Sequence, residues 1–348
     1  MKTTHPCDVK GESIEDYEDG IVTNNTLKLC VVQFPHPGQE PTLARANRKH
    51  QPIVHPWNQG SHKRKFMKAL GQTVDSNGAI SSKKELLFWG EWEPTSLVEP
   101  ITQWQGNGVQ PKWLHLPFLH TGATKVTPQT GSSIRAATSG GAGCAPNSNG
   151  INTDPLIFGD YFIYSNCRQA RMGNNGKIVS TIMQSLQPGS IILFGSKLSD
   201  SNKCPYFALD TVFVVGEARK YVASNYKNDL KGFVHKDFAK IMGHSFIKGT
   251  SQFTCYHGAT VTNPVDGMFS FVPCKTYPGV NIGFPRPKLV SQDFAPFNHK
   301  NKNIISNGLS RIYHYTVIPN IQTSRMIWNA VCNIIQQQGY ERGVNLNY

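Results

Sequence analysis

The strongest constraint on the fold is a set of short, almost unbroken apolar runs, each closed by glycine or proline. Leu186-Gln187-Pro188-Gly189-Ser190-Ile191-Ile192-Leu193-Phe194-Gly195-Ser196 reads as a turn, a buried strand and a stop. Phe207-Ala208-Leu209-Asp210-Thr211-Val212-Phe213-Val214-Val215-Gly216 reads as a second buried strand. Runs of this kind fit a small closed barrel or a sheet covered on both faces. Tyr161 to Tyr164 is a short apolar strand, and Gly267 to Pro273 a strand near a sheet edge. Leu27 to Phe34 forms another, ended by Pro35-His36-Pro37-Gly38. The 31 glycines and 22 prolines favour short strands and turns over a helical bundle. At the C-terminus the pattern changes. Ile327, Val331, Ile334 and Ile335 recur at helical spacing, so a helix is expected over Ser324 to Gln338, ended by Gly339. The expected class is α+β: a β-rich, barrel-like core with flanking helices.

At 348 residues the chain can hold one large domain or two smaller ones. Residues 121–152 are rich in Gly, Ser, Thr and Ala and carry only Lys125 and Arg135 as charges. Too little apolar surface is present there to form a core element, so the stretch reads as a linker or long loop. It separates an N-terminal α+β region, 1–120, from a β-rich region, 153–348, that includes the C-terminal helix.

The formal charge is +13, from 35 Lys+Arg against 22 Asp+Glu. Such an excess costs stability by self-repulsion unless an anion neutralises it, and nucleic acid is the commonest such anion. No run of about 18 apolar residues marks a membrane span, and no lipidation motif or long basic amphipathic helix marks a membrane surface. Residues 1–19 lack the apolar stretch of a signal peptide. The eight cysteines show no CxxC pair and no zinc spacing, and read as reduced, buried thiols of a cytoplasmic protein. Cys167, in Tyr164-Ser165-Asn166-Cys167-Arg168-Gln169, is the one with a polar setting that leaves a catalytic role open. Basic density peaks over Ser61 to Gly71, read as a helix with Ser61 as N-cap and Gly71 as stop. Its His62, Lys63, Arg64, Lys65 and Lys68 are candidate phosphate contacts, since helix N-termini and basic side chains both bind anions. A solvated lysine face is the alternative. His55, Asn58 and His62 resemble a His-Asn-His nuclease pattern but at the wrong spacing.

Leu87-Phe88-Trp89-Gly90-Glu91-Trp92-Glu93-Pro94 carries the chemistry. Read as a strand, it places Trp89, Glu91 and Glu93 on one face and Phe88 and Trp92 on the other. An indole beside two carboxylates suits a flat polar ring; the alternative is a packed Trp89 with its glutamates in water. Further candidate carboxylates are Asp154, Asp210 and Asp266. Asp154 and Asp266 sit beside Pro or Gly, where a turn-forming role competes. Asp210, among apolar strand residues, is either a buried support or a site residue.

Over roughly residues 152–216 the order of elements resembles the PUA/EVE/ASCH group and the nucleotide-modification-associated (Nmad) domains. The matching pieces are Thr153-Asp154-Pro155, Cys167-Arg168-Gln169, Pro188-Gly189-Ser190, Phe194-Gly195-Ser196 and Leu209-Asp210-Thr211-Val212. Gly189-Ser190 replaces the Gly-Asp of many relatives, and the N-terminal half has no counterpart. The resemblance implies a PUA-like barrel whose mouth holds a modified or flipped nucleobase, in proteins that read or process modified DNA in conflicts between bacteria and phages.

These readings converge on a base pocket. An enzyme acting on a base in a duplex must extrude it. Trp89 would stack on the base, with Glu93, Asn166, Arg168 and Gln169 reading its edges. Hydrolysis of the N-glycosidic bond needs a carboxylate to stabilise an oxocarbenium-like transition state. Glu91, Asp154 and Asp210 are the candidates, and no metal or other cofactor is required. The expected activity is that of a DNA glycosylase on double-stranded DNA with a flipped base. The alternatives are a non-catalytic reader and a metal-dependent nuclease using Glu91, Glu93 and Asp154.

Overall fold

The computed structural model describes residues 27–36, 53–55, 64–94, 96–106, 110–119, 153–172, 178–235, 237–242, 252–298, 303–306 and 313–348. Its strands run β1 (Cys30–Pro35), β2 (Ile53–His55), β3 (Lys65–Val74), β4 (Lys84–Gly90), β5 (Ser96–Pro100) and β6 (Gln103–Trp104). There follow β7 (Trp113–Pro117), β8 (Ile163–Tyr164), β9 (Ala170–Met172), β10 (Ile178–Ser180), β11 (Ile191–Ser199) and β12 (Pro205–Val222). The last are β13 (Gln252–Gly258), β14 (Val272–Thr276), β15 (Ile282–Gly283), β16 (Lys288–Leu289), β17 (His314–Val317) and β18 (Glu341–Asn347). Helices are α1 (Tyr226–Asp229), α2 (Phe238–Met242) and α3 (Ile321–Gln337).

A barrel closes from two early and two late strands of this order. β3 pairs with β4, β4 with β14, β14 with β18, and β18 back with β3, all antiparallel. A ring of so few strands brings backbones close together, and Gly71 shows it. A Cβ there would meet the side chains of Leu346 and Leu86 at 2.7 and 2.8 Å. β7, β5 and β2 extend this sheet beyond β3. The other large sheet has the order β17-β1-β11-β12-β13-β8, with β16 on the edge of β12. Both sheets draw strands from either side of residues 121–152, a stretch outside the described residues. The two buried apolar clusters also each mix residues of both sheets: Val32, Phe34, Met67 and Phe88 in one, Val31, Phe66, Leu87 and Val214 in the other.

The barrel-like α+β class expected from the apolar runs is thus the observed one. The apolar runs are central: β11 and β12 are buried through Ile191–Ser196 and Tyr206–Val215. Helix α3 starts three residues before the expected Ser324. Asn320 caps it, accepting from the Thr323 amide, and Ile327, Val331 and Ile335 are fully buried. Among the described residues no helix is long and apolar enough to cross a membrane.

The basic stretch corrects the expectation of a helix. Lys65–Val74 is strand β3, with two-residue rather than helical periodicity. Phe66, Lys68 and Leu70 alternate with Met67, Ala69 and Gly71, and β4, β7 and β18 take up its backbone groups. Gly71 stops no helix; it makes room for β18. Long-range pairing decides such a case, because strand formation depends on neighbours more than on the residues' own preferences. The cysteines also differ in part from the expected reduced set. Cys30, Cys167, Cys255, Cys274 and Cys332 are free, whereas Cys204 is disulfide-bonded.

Candidate functional site

Charged side chains converge where the ends of β1, β3 and β4 meet the middle of β12. The register explains each arrival. Lys65 pairs with Gly90, so continuing the antiparallel ladder by one step sets Arg64 opposite Glu91. Arg64 Nη1 donates to Glu91 Oε2 at 2.9 Å. His36 follows β1, its amide donating to the Gly195 carbonyl at 2.7 Å. That continuation of the parallel β1–β11 ladder brings the imidazole Nδ1 to 3.0 Å from the same Glu91 oxygen.

Asp210 arrives through an irregularity in the sheet. Phe194 pairs with Thr211 but Gly195 with Leu209, so Asp210 is the extra residue of a bulge. Bulges re-aim a side chain that a regular ladder would commit to one face. Gly195 is needed at this step, since a Cβ there would lie 2.2 Å from the Ala208 carbonyl oxygen. Asp210 Oδ2 lies 3.1 Å from Arg64 Nε, an ion pair set off the N–H axis. Oδ1 accepts from Arg286 Nη1 at 3.2 Å, and the same nitrogen donates to Ser196 Oγ at 2.8 Å. Arg64 therefore bridges two carboxylates, with side-chain exposures of 1% for Arg64, 1% for Glu91 and 0% for Asp210. Arg64 Nη2 has no hydrogen-bond partner among the described residues. Burial raises the pKa of Asp210, against the pull of Arg286 and Arg64.

Trp89 is part of the support, contrary to its expected role as an open stacking platform. Its indole is buried against Phe66, with Nε1 donating to the Phe284 carbonyl at 2.8 Å. The Arg286 guanidinium lies over its ring at 4.9 Å. Strand β4 ends at Gly90, so the expected common face of Trp89, Glu91 and Glu93 does not extend to the glutamates. Glu91 and Glu93 are both buried, and neither faces water.

Asp154 holds the neighbouring loop. Its carboxylate accepts from the amides of Ser165 at 2.7 Å, Asn166 at 2.8 Å and Cys167 at 2.7 Å. Burial pushes its pKa up to about 6, opposed by these three amides and helped by the charge of Glu91. With both oxygens engaged, Asp154 shapes the 165–167 turn rather than offering itself to a ligand. Gln169 is likewise engaged: its amide pairs with the Thr254 carbonyl at 2.7 Å and its oxygen with the Thr254 amide at 2.8 Å. Edge reading by Gln169 would break both bonds. Arg168 stands at φ +60° with its guanidinium 5.0 Å from the Phe34 ring centre. Asn166 Oδ1 is buried without a hydrogen-bond partner among the described residues.

The turn presents Cys167 to the cluster. Cys167 is half-buried as a residue, and its Sγ lies 4.0 Å from His36 Nε2, on the opposite side of the imidazole from Glu91. Burial among apolar neighbours raises the thiol's pKa, and the charges of Asp154 and Glu91 add to the rise.

The candidate phosphate contacts divide. His62 and Lys63 lie outside the described residues, as does Asn58 of the nuclease-like pattern. Arg64 and Lys65 are buried rather than displayed on a helix. Lys65 Nζ donates to the Trp92 carbonyl. Burial lowers its pKa to about 8, with Glu93 and Glu91 opposing. Lys68 pairs with Glu85 at 3.1 Å and lies over the Tyr277 ring. Asp266 is remote in role, bonded to exposed Arg325 of α3. Among the described residues no group of three His, Cys, Asp or Glu side chains is placed to hold a metal ion.

Glu91 and Asp210, suspected from the sequence, thus meet on one guanidinium. His36 and Arg286 were not suspected: one follows a proline at a strand end and the other sits between two prolines, with no spacing motif to mark either. The chain matches no protein-family model, and comparisons with curated proteins and with solved structures give no match. The PUA-like resemblance rests on its short motifs.

Proposed function

We propose that this protein binds DNA, captures an extruded modified base and hydrolyses its N-glycosidic bond. The observation that carries the reading is the dry bridge Glu91–Arg64–Asp210–Arg286. Burying four charges costs several kcal/mol per ion before their attraction repays it, and well-packed apolar residues would cost less. Arrangements of this kind concentrate where chemistry needs fixed charge. Carboxylates held in a dry centre stabilise a developing oxocarbenium cation far better than they would in water. The +13 charge of the chain supplies the attraction to a polyanion. Relative to the expected set of catalytic carboxylates, Glu91 and Asp210 remain and Asp154 becomes structural.

We assign the protein to the cytoplasm, with its DNA. The five free thiols accord with a reducing compartment and the Cys204 disulfide does not. The deciding experiment incubates the protein with ordinary and base-modified phage DNA in EDTA and assays released bases and alkali-labile sites. Base release from the modified DNA supports the reading. Binding without release makes the protein a reader of modified bases, and cutting that appears only when magnesium is restored makes it a nuclease.

A further inference from the structure

Cys167, His36 and Glu91 come from three distant segments and line up in one row. The thiol sulfur is 4.0 Å from Nε2 of the imidazole, whose Nδ1 is 3.0 Å from the Glu91 carboxylate. The Nδ1 contact lies off the N–H axis, as catalytic contacts often do before substrate is bound. A carboxylate at Nδ1 favours the tautomer with its proton there and leaves the Nε2 lone pair toward sulfur. The loop that carries the thiol is held rigidly. Asp154 binds its amides, the Tyr164 hydroxyl donates to the Cys167 carbonyl at 2.6 Å, and the Tyr221 hydroxyl donates to the Ser165 carbonyl at 2.9 Å. The next residue, Arg168, is in the left-handed region without being glycine, and such backbone persists where the surroundings over-determine it. Arg64, bonded to the same Glu91 oxygen, has a buried Nη2 without a hydrogen-bond partner among the described residues.

We propose that Cys167 is a nucleophile activated by His36, with Glu91 as the positioning residue, in a centre that cleaves esters or amides by acyl transfer. This activity goes beyond glycosidic hydrolysis and does not rest on it. The thiol proton passes to His36 Nε2 as the sulfur bonds to the acyl carbon, and the carbonyl π pair becomes an oxyanion. Arg64 Nη2, without a hydrogen-bond partner among the described residues, is the donor offered to that charge. Collapse of the oxyanion breaks the bond to the alcohol or amine, which leaves with the proton from His36. Water, deprotonated by His36, then attacks the thioester, releasing the carboxylic acid and restoring the thiol. Because the proton leaves during attack, the centre does not require a resting thiolate.

The test uses p-nitrophenyl acetate, with nitrophenol release followed in stopped flow and the acetylated residue located by mass spectrometry. The expected result is a burst stoichiometric with protein and one acetyl group on Cys167. Cys167→Ala should abolish the burst. His36→Asn should slow acylation by about a hundredfold or more, the usual scale of general-base catalysis. A second measurement needs no variant: iodoacetamide alkylation of Cys167 in the wild-type protein across pH. A His-assisted thiol should react near neutral pH, and Glu91→Gln should shift that profile. A burst that survives Cys167→Ala overturns the proposal. So does acylation at equal rates in wild type and His36→Asn, or alkylation of the wild type that rises only in the alkaline range of an isolated buried thiol. None of these outcomes touches base release from DNA, so the glycosidic reading is judged separately.

Discussion

Arg64→Met is the sharpest perturbation of this architecture. Methionine keeps most of the arginine stem and removes the guanidinium that spans Glu91 and Asp210. Removing one partner of a buried ion pair costs about 3–5 kcal/mol, because the other charge stays behind in a dry site. Each carboxylate here keeps a second partner, His36 for Glu91 and Arg286 for Asp210. The lower end of that range, about 3 kcal/mol, is therefore expected. At roughly 2 °C per kcal/mol for a chain of this size, the melting temperature should fall by about 6 °C. Urea unfolding, followed by tryptophan fluorescence, gives the free energy directly. The loss should also depend on pH. Burial already raises the pKa of Asp210, and losing Arg64 raises it further. A carboxyl whose folded pKa lies above its unfolded value contributes stability below the unfolded value and loses it as pH rises through the folded one. The gap between variant and wild type should thus narrow as pH is lowered. Adding Glu91→Gln should recover about 1–2 kcal/mol, the size of coupling seen between touching groups. A loss under about 1 kcal/mol, or strict additivity in the double variant, would refute the picture of a dry, mutually dependent cluster.

Asp154→Asn places an amide NH2 where backbone amides now donate, leaving at least one of the three unmatched. A loss of about 1–3 kcal/mol in chemical denaturation is expected, and a neutral result would mean that the carboxylate does not hold the turn. Lys65 is charged and buried below its folded pKa of about 8, while the unfolded side chain titrates higher. Wild-type stability should therefore rise with pH between about 8 and the unfolded value, whereas Lys65→Met should lack that rise when both are compared by urea unfolding. Trp89→Ala removes a buried ring and the surface under Arg286. It should cost about 3–5 kcal/mol of stability, and a fully stable variant with weakened DNA binding would instead restore Trp89 as an open base platform.

Where the determinants were local, the sequence was enough. The apolar runs of β11 and β12 announced buried strands because a strand closed by Gly-Ser or Pro-Gly has few other ways to hide Ile, Leu, Val and Phe. The spacing of Ile327, Val331 and Ile335 announced α3 for the same reason. Glu91 and Asp210 stood out as carboxylates that apolar surroundings could not explain. The basic stretch was misleading. Arg64 and Lys65 look like solvent-seeking cations until β4 pairs with β3 and sets Glu91 opposite Arg64. His36, Cys167 and Arg286 carried no spacing signal either, because their partners lie far away along the chain. Only the tertiary structure could bring them together, through a parallel ladder that carries His36 past Gly195, a bulge that turns Asp210 inward, and a tryptophan that supports Arg286. Periodicity reports which face of an element avoids water; which charges share a dry site depends on strand register, and register is settled between segments rather than within them.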